Sequence, residues 1–213
     1  MDQIIEFFLG PYRQREPSLI ILEAVALVCG IASVVYAKRE DIMVYPTGLL
    51  GTAITTYIFF VDRLLGDMML NFYFSLMSIY GWWNWARRMG DRSPMVMISR
   101  TNAREKWQGL GLFLLTIALT YGVYRVFGAE ILGSNYVDIL TSGIFFTAMW
   151  YMANKKLENW TLWIIGDIIT VPLYAYRGWG MFSLQYLIFT ILSIQGYLVW
   201  KKSLANSLQT SSK

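Results

Sequence analysis

Trp160, Trp163 and Asp167 stand at i, i+3 and i+7, a spacing that brings side chains to one face of a helix. Two flat indoles beside a carboxylate form a seat for a planar cation, held by stacking, cation–π attraction and charge. Asp167 lies eight residues beyond Asn159 in an apolar run, about 12 Å along a helix and so near the middle of a bilayer's hydrocarbon. An acid there costs about 2.5–3.5 kcal/mol, so it must face the interior of a bundle or a water-filled path. The competing explanation is an ion pair with a neighbouring helix, but the other apolar runs carry no central Lys or Arg. Trp160 also suits an interfacial tryptophan belt just after Lys155 and Lys156, whereas Trp163 lies a turn deeper.

Four amides fall within the apolar runs 68–85 and 182–200: Asn71, Asn84, Gln185 and Gln195. Such groups either bind a ligand or bridge helices. Asn71 and Gln195 are the better placed for a ligand bearing amides or hydroxyls, because Asn84 and Gln185 fall nearer the ends of their runs. Glu23 and Asp138 open two of the runs, where an acid suits a helix N-terminus and a shared structural role. Pro172, five residues after Asp167, opens a bend beside the candidate site, and Gly166 and Gly51 permit close helix approach or local flexing.

The elements that must position these groups follow from composition. Of 213 residues, 56% are hydrophobic and 15% charged, with a positive mean hydropathy, which marks an integral membrane protein. Seven runs approach the length needed to span: residues 18–37, 42–61, 68–85, 109–127, 137–153, 159–176 and 182–200. The short alternating segments of a barrel are missing, so the fold class is all-α. The first residues, with Asp2 and Glu6 and no basic stretch, predict a short interfacial helix rather than a cleaved signal, within an N-terminal segment over 1–17 in which Gly10, Pro11 and Pro17 separate it from the first span. A single Cys and no His leave nothing for a disulfide framework or a zinc site, and no cofactor is expected. GxxxxGK[ST], HExxH and GxSxG sequences are lacking, which argues against ATP hydrolysis or other enzymology.

Residues 36–85 align without a gap on 151–200 at an offset of 115, with nine identities in fifty positions, five of them between Phe74 and Trp85. This duplication predicts two three-helix repeats, over 18–85 and 137–200, joined by a basic loop over 86–108 and a linker span over 109–127. With one linking span both copies enter from the same side, a parallel 3+1+3 arrangement that places a ligand site between them. Tyr45, Gly48 and Thr52 occupy the places of Trp160, Trp163 and Asp167. Scaffold positions are shared and the candidate site is not, as suits an asymmetric ligand. Thirteen cations fall on one side and five on the other, which predicts an external N-terminus and a cytoplasmic tail over 201–213. Topology accounts for the basic surplus without a nucleic-acid partner.

YGWWNW (80–85), ENWTLWIIGDIITVPLYAYRG (158–178) and SLQYLIFTILSIQG (183–196) resemble the Pnu family of bacterial vitamin transporters, as do the acids at Glu23 and Asp138. The resemblance covers nearly the whole chain and is most specific in the sixth span. It implies a homotrimer in the bacterial inner membrane and facilitated diffusion of a vitamin substrate, retained by a separate cytoplasmic kinase. The motif's tryptophans are Trp160 and Trp163. Some nicotinamide riboside members carry Asn where this chain has Asp167, and the acid also resembles thiamine-transporting relatives. Residues 30–48 favour nicotinamide riboside. Thiamine transport, or a ligand-binding membrane receptor that does not transport, are the alternatives.

Overall fold

The computed structural model describes residues 7–8, 10–13, 15–62, 65–87, 94–126 and 133–210. Seven α-helices account for nearly all of them: α1 (Pro17–Lys38), α2 (Val44–Val61), α3 (Leu65–Ala86), α4 (Ala103–Val126), α5 (Gly133–Ala153), α6 (Glu158–Tyr176) and α7 (Gly180–Thr210). A 3-10 turn over Gly10–Tyr12 precedes them, and the described residues contain no strand beyond an isolated bridge between Ser99 and Lys156. On length and composition alone α1, α2, α4 and α7 can cross a membrane. The more polar α3, α5 and α6 hold Asp67, Asn71, Asp138 and Asp167, the residues that turn inward below.

Helix limits differ from the hydropathy limits where polar residues continue a helix. Asn102 and Glu105 form a capping box, each side chain accepting from the other's amide at 2.9 Å, so α4 starts at Ala103 rather than Gly109. Helix α7 continues ten residues past Trp200, so the expected tail is helical as far as Thr210. Within the expected loop, Ser99 exchanges backbone hydrogen bonds with Lys155 and Leu157 at 3.1 and 2.9 Å, which docks this segment on the α5–α6 turn. The proposed interfacial helix falls largely on residues 1–6, which lie outside the described residues, as do Arg63, Arg88, Arg92, Phe127 and Lys213.

Helices α1, α2 and α3 pack in succession, as do α5, α6 and α7, and the two sets meet along α1·α7 and α3·α5, with α4 laid on α5. An offset of 115 exchanges those two meeting surfaces. The same equivalence recurs in side-chain detail. The Tyr45 ring lies edge-on to Trp85 at 5.1 Å, and Trp160, its counterpart, lies edge-on to Trp200 at 5.5 Å. A Cβ on Gly81 would come 2.2 Å from Tyr45, and one on Gly196 would come 2.6 Å from Trp160. Only glycine admits either ring. Trp85 donates to Ala153 O at 3.2 Å and Trp200 to Ala37 O at 3.0 Å, so each copy's third helix is pinned to the first helix of the other.

The acids that open α1 and α5 are ion-paired, in two different ways. Asp138 pairs with Arg177, the guanidinium reaching Oδ1 at 3.2 Å and also Oδ2. Position 62, the counterpart of 177, is an acid, so Glu23 has no such partner within its own copy. Arg15, from the segment before α1, replaces it, standing 3.6 Å from Glu23 and 2.7 Å from Asp62. The Tyr12 hydroxyl also donates to Glu23; burial, and then that carboxylate, hold the hydroxyl above its ordinary titration range. Arg15→Gln leaves two acids facing each other, with an expected loss of about 1–2 kcal/mol. Adding Asp62→Arg, which recreates the pairing of the other copy, restores most of it; thermal unfolding of the single and double variants measures both effects.

Candidate functional site

Along α6 one face is buried: Asn159 and Trp160, then Gly166 and Asp167, Thr170, and Leu173 and Tyr174. This is the three- and four-residue rhythm of a helix facing a core. The face closes a central cavity of about 180 Å³, walled by all helices except α4 among the described residues. Trp160, Trp163 and Asp167 all line it, as does Asn71. Trp163 stacks on Phe145 at 5.4 Å and 30°, and meets Phe74 at 5.8 Å. Its indole is therefore held at a fixed angle beside the cavity, which is what stacking on a planar ligand requires.

The polar groups of this cavity are unevenly satisfied. Asp167 meets the Ser193 hydroxyl but makes no contact of full hydrogen-bond geometry among the described residues, and the Trp160 indole N–H and the Tyr45 hydroxyl have no partner there. Asp167 is 1% exposed, and buried polar atoms without partners are rare in folded proteins. Thr52, its counterpart in the first copy, is fully engaged, donating to Gly48 O at 2.9 Å and sharing a hydrogen bond with Ser75 at 2.8 Å. Ser75 also turns back to Asn71 O at 3.1 Å, as its counterpart Thr190 does to Tyr186 O at 2.8 Å, but Asp167 is held only loosely, by Ser193. The first three helices close their polar groups on one another; the last three present a loosely held carboxylate, an indole donor and a flat aromatic wall. No Lys or Arg lines the cavity. Such a site accepts a planar cation carrying hydrogen-bonding groups, and offers nothing to a phosphate.

Gln195 is a correction. Its carbonyl accepts from Lys38 Nζ at 2.9 Å between α7 and α1, and it does not line the cavity. The cavity face of α7 carries Phe182, Gln185, Tyr186, Phe189 and Ser193, and a residue two beyond Ser193 points about 200° away from that line. Gln185, which its position near a span end had counted against, lines the cavity instead. Asp67 went unnoticed because it precedes the apolar run; it lies one turn before Asn71 on the same face, and that i, i+4 spacing was the available signal. Glu23 and Asp138 sit at the helix ends, in the ion pairs described above. Gly166 packs against the Phe145 ring. Pro172 is exposed within a continuous α6 and faces away from the site, while the neighbouring Val171 carbonyl accepts from Ser183 at 2.9 Å.

Beyond one end of the cavity lies a second space of about 280 Å³, lined by Arg15, Glu23, Asp62 and Trp179 among others. The two spaces share Phe59 and Phe182, whose rings stack at 6.2 Å. At the opposite end the cavity runs into a packed cluster built on Tyr45, Trp85, Trp160 and Trp200.

A family model described as Nicotinamide mononucleotide transporter matches residues 20–202. The nicotinamide riboside transporter PnuC of Escherichia coli (strain K12) is 27% identical over 204 residues, covering 85% of each chain. That of Neisseria mucosa is 28% identical over 196 residues, covering 85% of this chain and 72% of the relative. The riboflavin/roseoflavin transporter RibM of Streptomyces davaonensis is 21% identical over 189 residues, again 85% of each. A crystal structure of the vitamin B3 transporter PnuC superimposes with a TM-score of 0.69 at 23% identity, over 85% of this chain and 80% of that one; it shows a shared fold.

Proposed function

Given that this chain belongs to the nicotinamide mononucleotide transporter family, we propose that it carries nicotinamide riboside, the substrate in its relatives' names, across the bacterial inner membrane. It is a transporter and not an enzyme. The observation that carries the substrate assignment is Asp167, a buried carboxylate held only loosely by Ser193 and set beside Trp160 and Trp163 in a cavity that no Lys or Arg lines among the described residues. The riboside's pyridinium is planar and positive, and its amide and hydroxyls suit Asn71, Gln185 and the Tyr45 hydroxyl. A mononucleotide adds a phosphate that this lining cannot neutralise, so the nucleoside fits the cavity better than the nucleotide named in the family description.

Transport is passive on this reading: substrate moves down its gradient, and a separate cytoplasmic kinase retains it by adding the charge the cavity rejects. The two sets of three helices act as parallel copies about an axis along the membrane normal, with α4 as the link. Contacts that exchange at an offset of 115 support that arrangement, and the excess of cations puts the α1–α2 and α5–α6 turns in the cytoplasm. The homotrimer implied by the Pnu resemblance belongs to the same proposal.

A thermal-shift panel of nicotinamide riboside, thiamine, riboflavin and deoxynucleosides on the purified protein tests the substrate. Nicotinamide riboside is expected to raise the unfolding temperature most. A larger shift with thiamine would transfer the assignment to that cation. Binding without uptake into proteoliposomes lacking any ion gradient would make the protein a receptor or a coupled carrier.

A further inference from the structure

Glu40 and Lys155 are separated by the repeat offset of 115, and they form an ion pair with each other at 3.4 Å. Residues at equivalent places in two copies can touch only beside the axis that relates those copies. The surrounding turns are the same in detail. Glu40 and Lys155 have φ of 58° and 50°, each amide bonds to the carbonyl three residues back, and the next amide reaches the carbonyl five back (Asp41 to Tyr36 at 3.0 Å, Lys156 to Tyr151 at 2.9 Å). This is the helix-ending motif in which glycine usually holds the left-handed position. Charged residues there accept a strained backbone, and such strain gathers at working sites.

Both charges are held from several sides. Lys155 Nζ stands 4.4 Å over the Trp85 ring, and the other oxygen of Glu40 accepts from Ser203 at 3.1 Å. Trp85 meets its own counterpart, Trp200, at 6.2 Å. These indoles, with Tyr45, Trp160 and Leu157, form the cluster that ends the cavity on this side. The other end meets the Phe59–Phe182 stack, with Tyr174 and Trp179 packed on Phe182.

We infer that the Glu40–Lys155 pair is the latch of the gate on the side of the two turns, closing across the axis over the tryptophan cluster. This rests on the reading of the chain as a transporter. For the cavity to open on this side the copies must part at the axis, and the ion pair and the Trp85–Trp200 contact must break together. The Lys155 side chain is 10% exposed and that of Glu40 32%, so parting them leaves a charge poorly solvated, and that cost sets how often the gate opens.

Leu157 lies in the cluster, 1% exposed, and is absent from the cavity wall, so a cysteine there reports opening. In a Cys29→Ser, Leu157→Cys background in detergent, a maleimide should label slowly. Glu40→Lys should speed labelling on the order of fivefold, Glu40→Gln less, and Glu40→Lys with Lys155→Glu should return it towards the parent rate. Equal rates in all four proteins, or a double variant as fast as Glu40→Lys, would overturn the latch. If the rates follow the expected order but nicotinamide riboside stabilises none of the proteins, the substrate assignment fails and the latch stands.

Discussion

Replacing Asp167 with alanine is expected to abolish stabilisation by nicotinamide riboside while making the ligand-free protein more stable. The two effects have one cause. Asp167 is buried, with a loose Ser193 contact and no neutralising cation among the described residues, so in the empty protein its desolvation outweighs what that contact returns, and removing it relieves the difference. With ligand bound, the same carboxylate meets a cation, and a charged hydrogen bond of about 1.5–3 kcal/mol is at stake, or roughly tenfold to more than a hundredfold in affinity. Thermal unfolding with and without nicotinamide riboside measures both quantities on one sample. An Asp167 paired with a cation in the bundle would behave oppositely, its loss destabilising the empty protein. Asp167→Asn keeps the shape and removes the charge, so uptake by that variant separates attraction from fit.

The second large effect is at Trp163. Its indole is a wall of the cavity and also part of the stack with Phe145 and Phe74. Trp163→Ala is expected to weaken binding about fivefold to 150-fold, from the loss of a stacking and cation–π surface of about 1–3 kcal/mol. It also costs about 3–5 kcal/mol of stability from the void beside those rings. Trp163→Phe separates the two contributions: it refills most of the void and recovers stability, while the smaller ring gives a weaker cation–π contact and only partial affinity. Equilibrium binding and unfolding of both variants decide the point. Equal affinity for the parent and the alanine variant would remove Trp163 from the site and leave it as packing alone.

Much of this molecule could be read from its residues because a membrane helix advertises itself locally. The seven apolar runs became seven helices, and their limits moved furthest where polar residues continued a helix, as at the Asn102–Glu105 box and beyond Trp200. Trp160, Trp163 and Asp167 could be placed on one face because all three belong to a single helix, whose period is fixed by backbone geometry. The pairing of Gly81 with Gly196 at an offset of 115 could also be read in the residues, and each stands where a ring of Tyr45 or Trp160 leaves no room for a Cβ.

What the residues could not convey was the orientation of one helix relative to another. Gln185 and Gln195 are both amides in α7, and period alone cannot say which of them faces the centre; the packing of α7 between α6 and α1 turns Gln185 inward and leaves Gln195 with Lys38. The role of Arg15 in replacing the cation that position 62 lacks, the meeting of Glu40 with Lys155, and the contrast between an engaged Thr52 and a loosely held Asp167 are of the same kind. Helical period and the lipid's demand for apolar length act within one segment, so a linear string records them. Azimuth, pairing across an axis and the satisfaction of a buried charge depend on several segments at once, and packing settles them.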